Sequence, residues 1–282
     1  MDMVEAKKNQ HKSWTMVAPG WGKHDALMRT WSQPVTDRMI ALAGIREGMN
    51  VLDIACGAGE PALSVAEKVG PKGSVLATDF VEEMIGFARS KAQARSLSNI
   101  EFRCVDGEVV DGQAGAFDAV TMRWGLMFMP DPVKCMRCAN TALKPGGKAV
   151  VCCWTEPANN PFVTVPLGVL KRHMDIPQPP AGAPGIFALA NPDRLRAIFA
   201  EAGFRDVAIE QVQIPMADFP TGAEYDVFIR ELAGPVASLF VQLPAETQER
   251  VKKEIAQDAE KFSSKPGRVY LQGITHVVVG TK

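Results

Sequence analysis

The run Val51-Leu52-Asp53-Ile54-Ala55-Cys56-Gly57-Ala58-Gly59-Glu60-Pro61-Ala62 constrains the fold more than any other stretch of the chain. It begins as an apolar run of strand type with an acid near its end. It then turns through two glycines and enters residues 63–69, whose apolar positions follow a helical period. Strand, glycine turn and helix set free backbone N–H groups at the head of a helix, facing a ligand. Gly57 and Gly59 can take positive φ and carry no side chain, so a ligand can lie directly against the main chain. Pro61 falls in the first turn of the helix, where a backbone N–H has no intrahelical partner to lose.

The same alternation continues. Strands are expected at residues 50–54, 74–78, 100–105, 117–122 and 148–154, with helices at 63–69, 82–97 and 132–143 between them. Such alternation predicts a parallel sheet with helices on both faces, and ligands in such sheets gather at the carboxyl ends of the strands near the switch point. Asp53, Asp79, Asp106 and Arg123 all fall at or close to expected carboxyl ends. Upstream, residues 1–13 are polar and basic and are expected to form a frayed arm. Residues 14–31 hold Trp14, Trp21 and Trp31, and Pro19-Gly20 predicts two short helical pieces joined by a turn. Residues 33–43 are helical by period. After the fifth strand the alternation breaks at residues 155–190, which hold an apolar-periodic stretch at 163–173 and a proline-rich loop at 177–185. A helix at 192–203 and a strand at 206–213 follow, then a second insertion at 215–268 with helical patterns at 225–232 and 244–262, then an apolar strand at 269–280.

Two ligands compete for the glycine turn. Gly57-Ala58-Gly59-Glu60-Pro61-Ala62 fits the relaxed G-x-G-x-x-G/A dinucleotide fingerprint, and Asp79 lies about 20 residues on, where such sites keep a ribose-binding acid. That reading gives an NAD-dependent oxidoreductase. Against it, the Asp53 carboxylate would repel a pyrophosphate but suits a cationic amino-acid ligand. The segment Asp53-x-Ala55-Cys56-Gly57-x-Gly59 resembles the glycine-rich first motif of S-adenosylmethionine (SAM) dependent methyltransferases of the Rossmann-like class, and the resemblance runs through about residues 35–155. The chain is most similar to the small-molecule enzymes of that class, including the ubiquinone and menaquinone C-methyltransferase-like group. The resemblance implies an α/β fold: a doubly wound, seven-stranded, mostly parallel sheet with an antiparallel last strand and helical cap insertions. It divides the chain into an N-terminal helical lid segment, 1–34, and a SAM-binding methyltransferase domain, 35–282, with caps at about 155–190 and 215–268.

It also implies roles. Backbone amides around Ala55, Cys56, Gly57 and Gly59 would approach the methionine part of the cofactor, and Asp53 would face its ammonium, directly or through water. Asp79 would accept from both ribose hydroxyls, since a carboxylate offers two acceptor oxygens to a diol. Phe80 and Met84 would pack on adenine and ribose, and Asp106, Gly107 and Glu108 would meet the adenine amino group. Arg123 and Trp124 would meet the methionine end or the sulfonium region. Each residue also has a local alternative. Asp53 can cap the next turn, Asp79 can cap the next helix, and Asp106-Gly107 is an ordinary turn dipeptide. Their order, each at a strand end, favours the cofactor.

Methyl transfer from a sulfonium asks mainly for alignment and exclusion of water, while oxygen acceptors often need a general base. The chain has four histidines, His11, His24, His173 and His276. His173, in the expected cap, is the favoured base, followed by His24. Trp14, Trp21, His24 and Arg29 are the expected acceptor-side residues, and Arg29 and Arg123 suit either an anionic acceptor or a structural carboxylate. A cap holding Trp14, Trp21, Phe162 and Phe187 fits an acceptor of modest size, partly aromatic or apolar. No tetrapeptide of the Asn-Pro-Pro-Tyr type follows the fourth strand, which argues against methylation of a DNA base. A net charge of −1 argues against a nucleic-acid partner. Hydrophobic residues at 46% and charged residues at 22% are ordinary for a globular protein. No run reaches the about 18 apolar residues of a membrane span, and the first residues are too polar for a signal peptide. A cytoplasmic monomer or homodimer with its six cysteines reduced and no metal is therefore expected. Besides the oxidoreductase, the rivals are a non-catalytic SAM-binding protein and an RNA methyltransferase that borrows charge from a partner subunit.

Overall fold

In the computed structural model, which describes residues 3–110, 114–177, 180 and 182–282, two helices precede the sheet: α1 (Met3–Lys23) and α2 (Asp25–Ala43). Then come β1 (Asn50–Ile54), α3 (Ala62–Val69), β2 (Ser74–Asp79), α4 (Glu82–Ala94), β3 (Ile100–Cys104), β4 (Phe117–Arg123), α5 (Pro132–Ala142) and β5 (Leu143–Trp154). The remainder is α6 (Pro161–Lys171), α7 (Pro192–Glu201), β6 (Arg205–Phe219), α8 (Gly222–Leu232), α9 (Gly234–Phe240), α10 (Ala245–Phe262) and β7 (Val269–Thr281).

The seven strands form one sheet in the order β3-β2-β1-β4-β5-β7-β6. β1 to β5 pair in parallel, and β7 runs antiparallel to both of its neighbours, β5 and β6. This is the expected doubly wound sheet with an antiparallel last strand. Parallel strands covered on both faces read as continuous apolar runs, and Val51, Leu52, Ile54, Ala119 and Val120 are fully buried. The chain walks outward from β1 through β2 to β3 and then returns on the other side of β1 as β4. The crevice at the carboxyl ends of β1 and β4 is therefore the switch point where a ligand is expected. Local signals set the helix starts. The Asp131 carboxylate accepts from the Lys134 amide at 2.9 Å, with Pro132 in the first turn of α5. Thr221 and Glu224 form a reciprocal capping box on α8.

Three expectations need correction. The N-terminal arm from residue 3 runs on without a break through Pro19 to Lys23 as one helix, α1; the break falls at His24 instead, and residues 25–31 belong to α2 together with the helix expected at 33–43. Gly20 marks a close approach, not a turn: a β-carbon there would lie 2.1 Å from the Glu231 carbonyl oxygen on α8. The strand expected at 206–213 extends to Phe219, because β6 is an edge strand and Pro215 costs no ladder bond there. Its register slips between Pro215 and Ala217. A helix not expected, α9, lies between α8 and α10. Residue 34 is within α2, so the expected lid segment and sheet domain share this helix. Residues 1 and 2 of the expected arm, and 178, 179 and 181 of the expected loop at 177–185, lie outside the described residues.

The two insertions meet over the sheet, with α10 packed on both α6 and α8. α1 packs on α4 of the sheet layer and on α8 and α9 of the cap, so it ties the two across the crevice.

Candidate active site

A cavity lies between the carboxyl edge of the sheet and the cap. The turn from β1 to α3 forms its floor. Ala55, Gly57 and Gly59 all take positive φ, at 57°, 53° and 118°. A β-carbon at Gly57 would have nothing within 4 Å, whereas one at Gly59 would meet Leu63 Cδ1 at 2.7 Å. Gly57 thus shows bare backbone to open space, and Gly59 lets the turn pack onto its own helix. The Gly57 amide donates to Asp79 Oδ2 at 2.8 Å, and the Val81 amide donates to Asp79 Oδ1 at 3.0 Å. Asp79 therefore fastens the end of β2 to the glycine turn and also orders the entry to α4. Each carboxylate oxygen keeps a lone pair for a ligand. Burial pushes the Asp79 pKa up to about 6, against the pull of those amide donors.

Asp53 is fully buried beneath the turn and is not part of the cavity wall. Its Oδ1 accepts from the Thr121 hydroxyl on β4, and its Oδ2 has no hydrogen-bond partner. Burial pushes its pKa up to about 7, opposed by Thr121 and by the nearby Arg123 charge.

On the β3 side, Phe80, Met84, Asp106 and Gly107 line the wall. Lys7 of α1 reaches across to Asp106 Oδ2 at 2.5 Å and to Glu108 Oε2 at 2.7 Å. Partial burial lowers the Lys7 pKa, but the bonds to the two carboxylates outweigh it, so the ammonium is held charged. Glu108 sits behind the wall, where its Oε1 accepts from the Asp131 amide at 2.8 Å. Cys56 lines the cavity, but burial pushes its thiol pKa well up, which removes it as a nucleophile at neutral pH.

On the opposite side, Trp124 stacks on Trp154 with ring centroids 4.6 Å apart and planes at 15°, and Phe162, Met216 and Phe228 complete an apolar wall. Trp124 itself has φ 59°. Trp14 and Trp21 both face the cavity from α1. Trp14 meets Phe128 edge-on at 5.0 Å, and Trp21 donates from Nε1 to the Leu232 carbonyl at 3.0 Å. Arg29 and Arg123 line the wall as well.

The structure thus brings together Ala55, Cys56, Gly57, Asp79, Phe80, Met84, Asp106, Gly107, Arg123, Trp124, Trp14, Trp21 and Arg29. Gly59, Asp53 and Glu108 support the wall without forming it. Neither expected histidine base reaches the cavity. His173 at the end of α6 bonds to Glu254 Oε1 at 2.9 Å, and His24 bonds to Glu231 Oε2 at 2.6 Å with its ring against Phe228. Phe187 of the expected cap is also off the wall, which is lined by its neighbour Ile186. Lys7 and Asp25 are wall residues without a signal in the sequence, and Glu60 is one that stood within the glycine turn with no role assigned to it. Asp25 pairs with Lys91 at 2.5 Å and Glu60 with Arg95 at 2.9 Å, contacts spanning 66 and 35 positions.

The donor set fits SAM. The open backbone at Gly57 suits the methionine part, and the unpartnered, buried Asp53 Oδ2 suits a cation near the switch point. The carboxylates of Asp53, Glu60 and Asp79 around one turn would repel a pyrophosphate.

The comparisons agree. Residues 24–170 match the ubiE/COQ5 methyltransferase family. The demethylmenaquinone methyltransferase of Shouchella clausii is 30% identical over 197 residues, covering 64% of this chain and 80% of that enzyme. The enzyme of the same name from Lactococcus lactis is 35% identical over 126 residues, covering 45% of this chain and 48% of its own length. Among solved structures, the YcgJ protein of Bacillus subtilis superposes with a TM-score of 0.59 at 20% identity, over 88% of this chain and 97% of that one. This last likeness concerns the fold alone. With the family matched over the strands that build the cavity floor, and with the donor set of a sulfonium nucleoside at that floor, the chain is a SAM-dependent methyltransferase and belongs to the ubiE/COQ5 methyltransferase family.

Proposed function

We propose that the chain methylates a flat, largely apolar small molecule of aromatic character, held beneath the cap on the β4–β5 side of the cavity. The single observation that carries this reading is the wall opposite the glycine turn: the Trp124–Trp154 stack with Phe162, Phe228 and Met216. Such a wall stacks on ring faces and offers few polar groups to an aliphatic amine or a nucleotide. Relatives bearing the name demethylmenaquinone methyltransferase support a quinol-like ring as acceptor.

Bound SAM supplies a methyl group already activated on a sulfonium. The residues of the chain bind, orient and keep out water. Gly57 offers bare backbone to the methionine part, and Asp79 offers its free lone pairs to the ribose hydroxyls. Phe80 and Met84 would flank the adenine, and Asp106, paired with Lys7, would accept from its amino group. Asp53, below the turn with its Oδ2 unpartnered, would balance the ammonium through water. Trp14, packed on Phe128, closes the roof and excludes solvent from the reacting atoms. With no histidine on the wall, ionisation of the acceptor depends on the cations Arg29 and Arg123 and on solvent.

A labelled-methyl assay tests the reading. Protein and labelled SAM are incubated with reduced 1,4-naphthoquinone, a simple phenol, an alkyl amine and an alkyl thiol. Label is expected on the aromatic acceptors, with the bicyclic ring preferred. Transfer to the amine or thiol alone would overturn it.

A further inference from the structure

Arg123 ends β4 at the cavity wall and is 9% exposed. Its Nη1 donates to the hydroxyls of Ser32 and Thr36 on α2, the latter at 3.1 Å. Ser32 in turn donates to the Met28 carbonyl, and both acceptors are neutral hydroxyls. Among the described residues no carboxylate comes within ion-pairing distance of Arg123, and its Nε and Nη2 make no hydrogen bond.

The titratable groups that face Arg123 are Glu60 ahead of α3, Cys152 on β5, Asp53 on β1 and Asp25 on α2. Glu60 is engaged with Arg95 and Ser64, and Asp25 with Lys91; Asp53 is bonded through Oδ1 to Thr121 and, with its Oδ2 unpartnered, acts on Arg123 only from beyond ion-pairing distance. A buried cation without a counter-ion is costly, and proteins retain one where a ligand completes it. Its guanidinium lies 5.0 Å over the Trp124 ring, which in turn stacks on Trp154. β4 and β5 lie on the far side of β1 from β2 and β3, whose ends carry Asp79 and Asp106. The free guanidinium edge therefore belongs to the acceptor half of the cavity.

We propose that Arg123 is a specificity-determining residue that holds an ionised ring oxygen of the acceptor, a phenolate or the equivalent oxyanion of a quinol, beside the Trp124–Trp154 stack. This rests on the aromatic-acceptor reading above. The hydroxyl proton passes to solvent water, and the oxyanion's charge spreads to the ring carbons. As the new bond to the methyl carbon forms, the carbon–sulfur bond breaks and its electron pair leaves on sulfur as a neutral thioether. A ring carbon so methylated then gives up its own proton to water. Burial alone would keep the hydroxyl protonated; a fixed cation at hydrogen-bond range reverses that preference. Arg123 thereby selects ring hydroxyls over neutral aromatics.

The test uses 4-nitro-1-naphthol, which changes colour on ionising, with protein saturated in S-adenosylhomocysteine. The probe's pKa is read in wild type, Arg123→Met and Arg123→Gln, and S-adenosylhomocysteine affinity is measured separately by calorimetry. The Gln variant keeps a donor for Ser32 and Thr36, and it carries the test if the Met variant does not fold. In wild type the bound probe is expected to ionise about one pH unit or more below its value in buffer, a tenfold preference for the anion. In either variant its pKa should return to the buffer value or above, with S-adenosylhomocysteine affinity within about threefold of wild type. An unchanged bound pKa in the variants overturns the role of Arg123. So does a tenfold loss of S-adenosylhomocysteine affinity, which would place the guanidinium on the cofactor carboxylate. Failure of wild type to bind the probe at all overturns the aromatic-acceptor reading itself.

Discussion

Replacing Asp53 by Asn should stabilise the ligand-free protein, and increasingly so as pH rises. Asp53 is fully buried, bonded only through Oδ1 to Thr121, and its pKa is pushed from an ordinary 3.8 to about 7. Below pH 3.8 the group is protonated in both the folded and unfolded chain and contributes no penalty. Between 3.8 and about 7 the unfolded chain releases the proton while the folded one keeps it, so stability falls with rising pH. The loss is complete above the folded value. At about 1.4 kcal/mol per unit, the interval is worth at most about 4 kcal/mol at pH 8 and about 1.6 kcal/mol at pH 5. Asn keeps an acceptor for Thr121 and removes the titration, and its amide in the place of Oδ2 costs about 1 kcal/mol as an unpartnered donor at every pH. Urea denaturation of wild type and Asp53→Asn at pH 5 and pH 8 therefore should show the variant's advantage growing by about 2–3 kcal/mol. An advantage that stays constant with pH, or a variant equally destabilised at both, would mean that Asp53 is ionised and paired in the folded protein, and the reasoning would fail.

Three further substitutions separate binding from support. Gly57→Ala puts a β-carbon into open space at φ 53°, so it should cost only about 1 kcal/mol of stability yet lower SAM affinity at least tenfold by calorimetry. His173→Ala should leave the methyl-transfer rate within about threefold of wild type, far from the 10²–10⁴-fold effect of losing a general base, because its imidazole faces Glu254 and not the cavity. Gly20→Ala drives a β-carbon to 2.1 Å from the Glu231 carbonyl oxygen and should cost about 1–3 kcal/mol in denaturation by prising α1 from α8.

The cavity floor is legible in the sequence because its determinants are local. The Val51-to-Ala62 run encodes strand, turn and helix within twelve positions, Asp79 ends the mostly buried strand β2, and Asp106 follows the edge strand β3, whose alternating Ile-Glu-Phe-Arg-Cys pattern marks it. The roof is not legible, because its contacts are long-range. Lys7 stands in a polar stretch, and only its pairing with Asp106, 99 positions away, shows that the stretch is a bound helix. Gly20 beside Pro19 carries the composition of a turn, and only the proximity of α8 explains it as a crossing point. His173 sits in the expected cap, yet on the side of α6 that meets α10, and periodicity alone does not say which helix comes to cover it. Asp53 followed the expected position at the strand end, but in a strand buried on both faces its side chain lies under the turn rather than in the pocket.

SAM titration by calorimetry, run on wild type and Asp79→Ala with NADH in parallel, addresses the cofactor edge directly. Asp79 accepts from the Gly57 amide and is the proposed ribose ligand, so its loss would remove that ligand contact and the fastening of the turn together. Wild type should bind SAM and not NADH, and Asp79→Ala should bind SAM at least tenfold more weakly, a loss of about 1.4 kcal/mol or more. Unchanged SAM affinity in Asp79→Ala, or NADH binding in preference to SAM, would contradict a sulfonium nucleoside held at the carboxyl ends of β1 and β2.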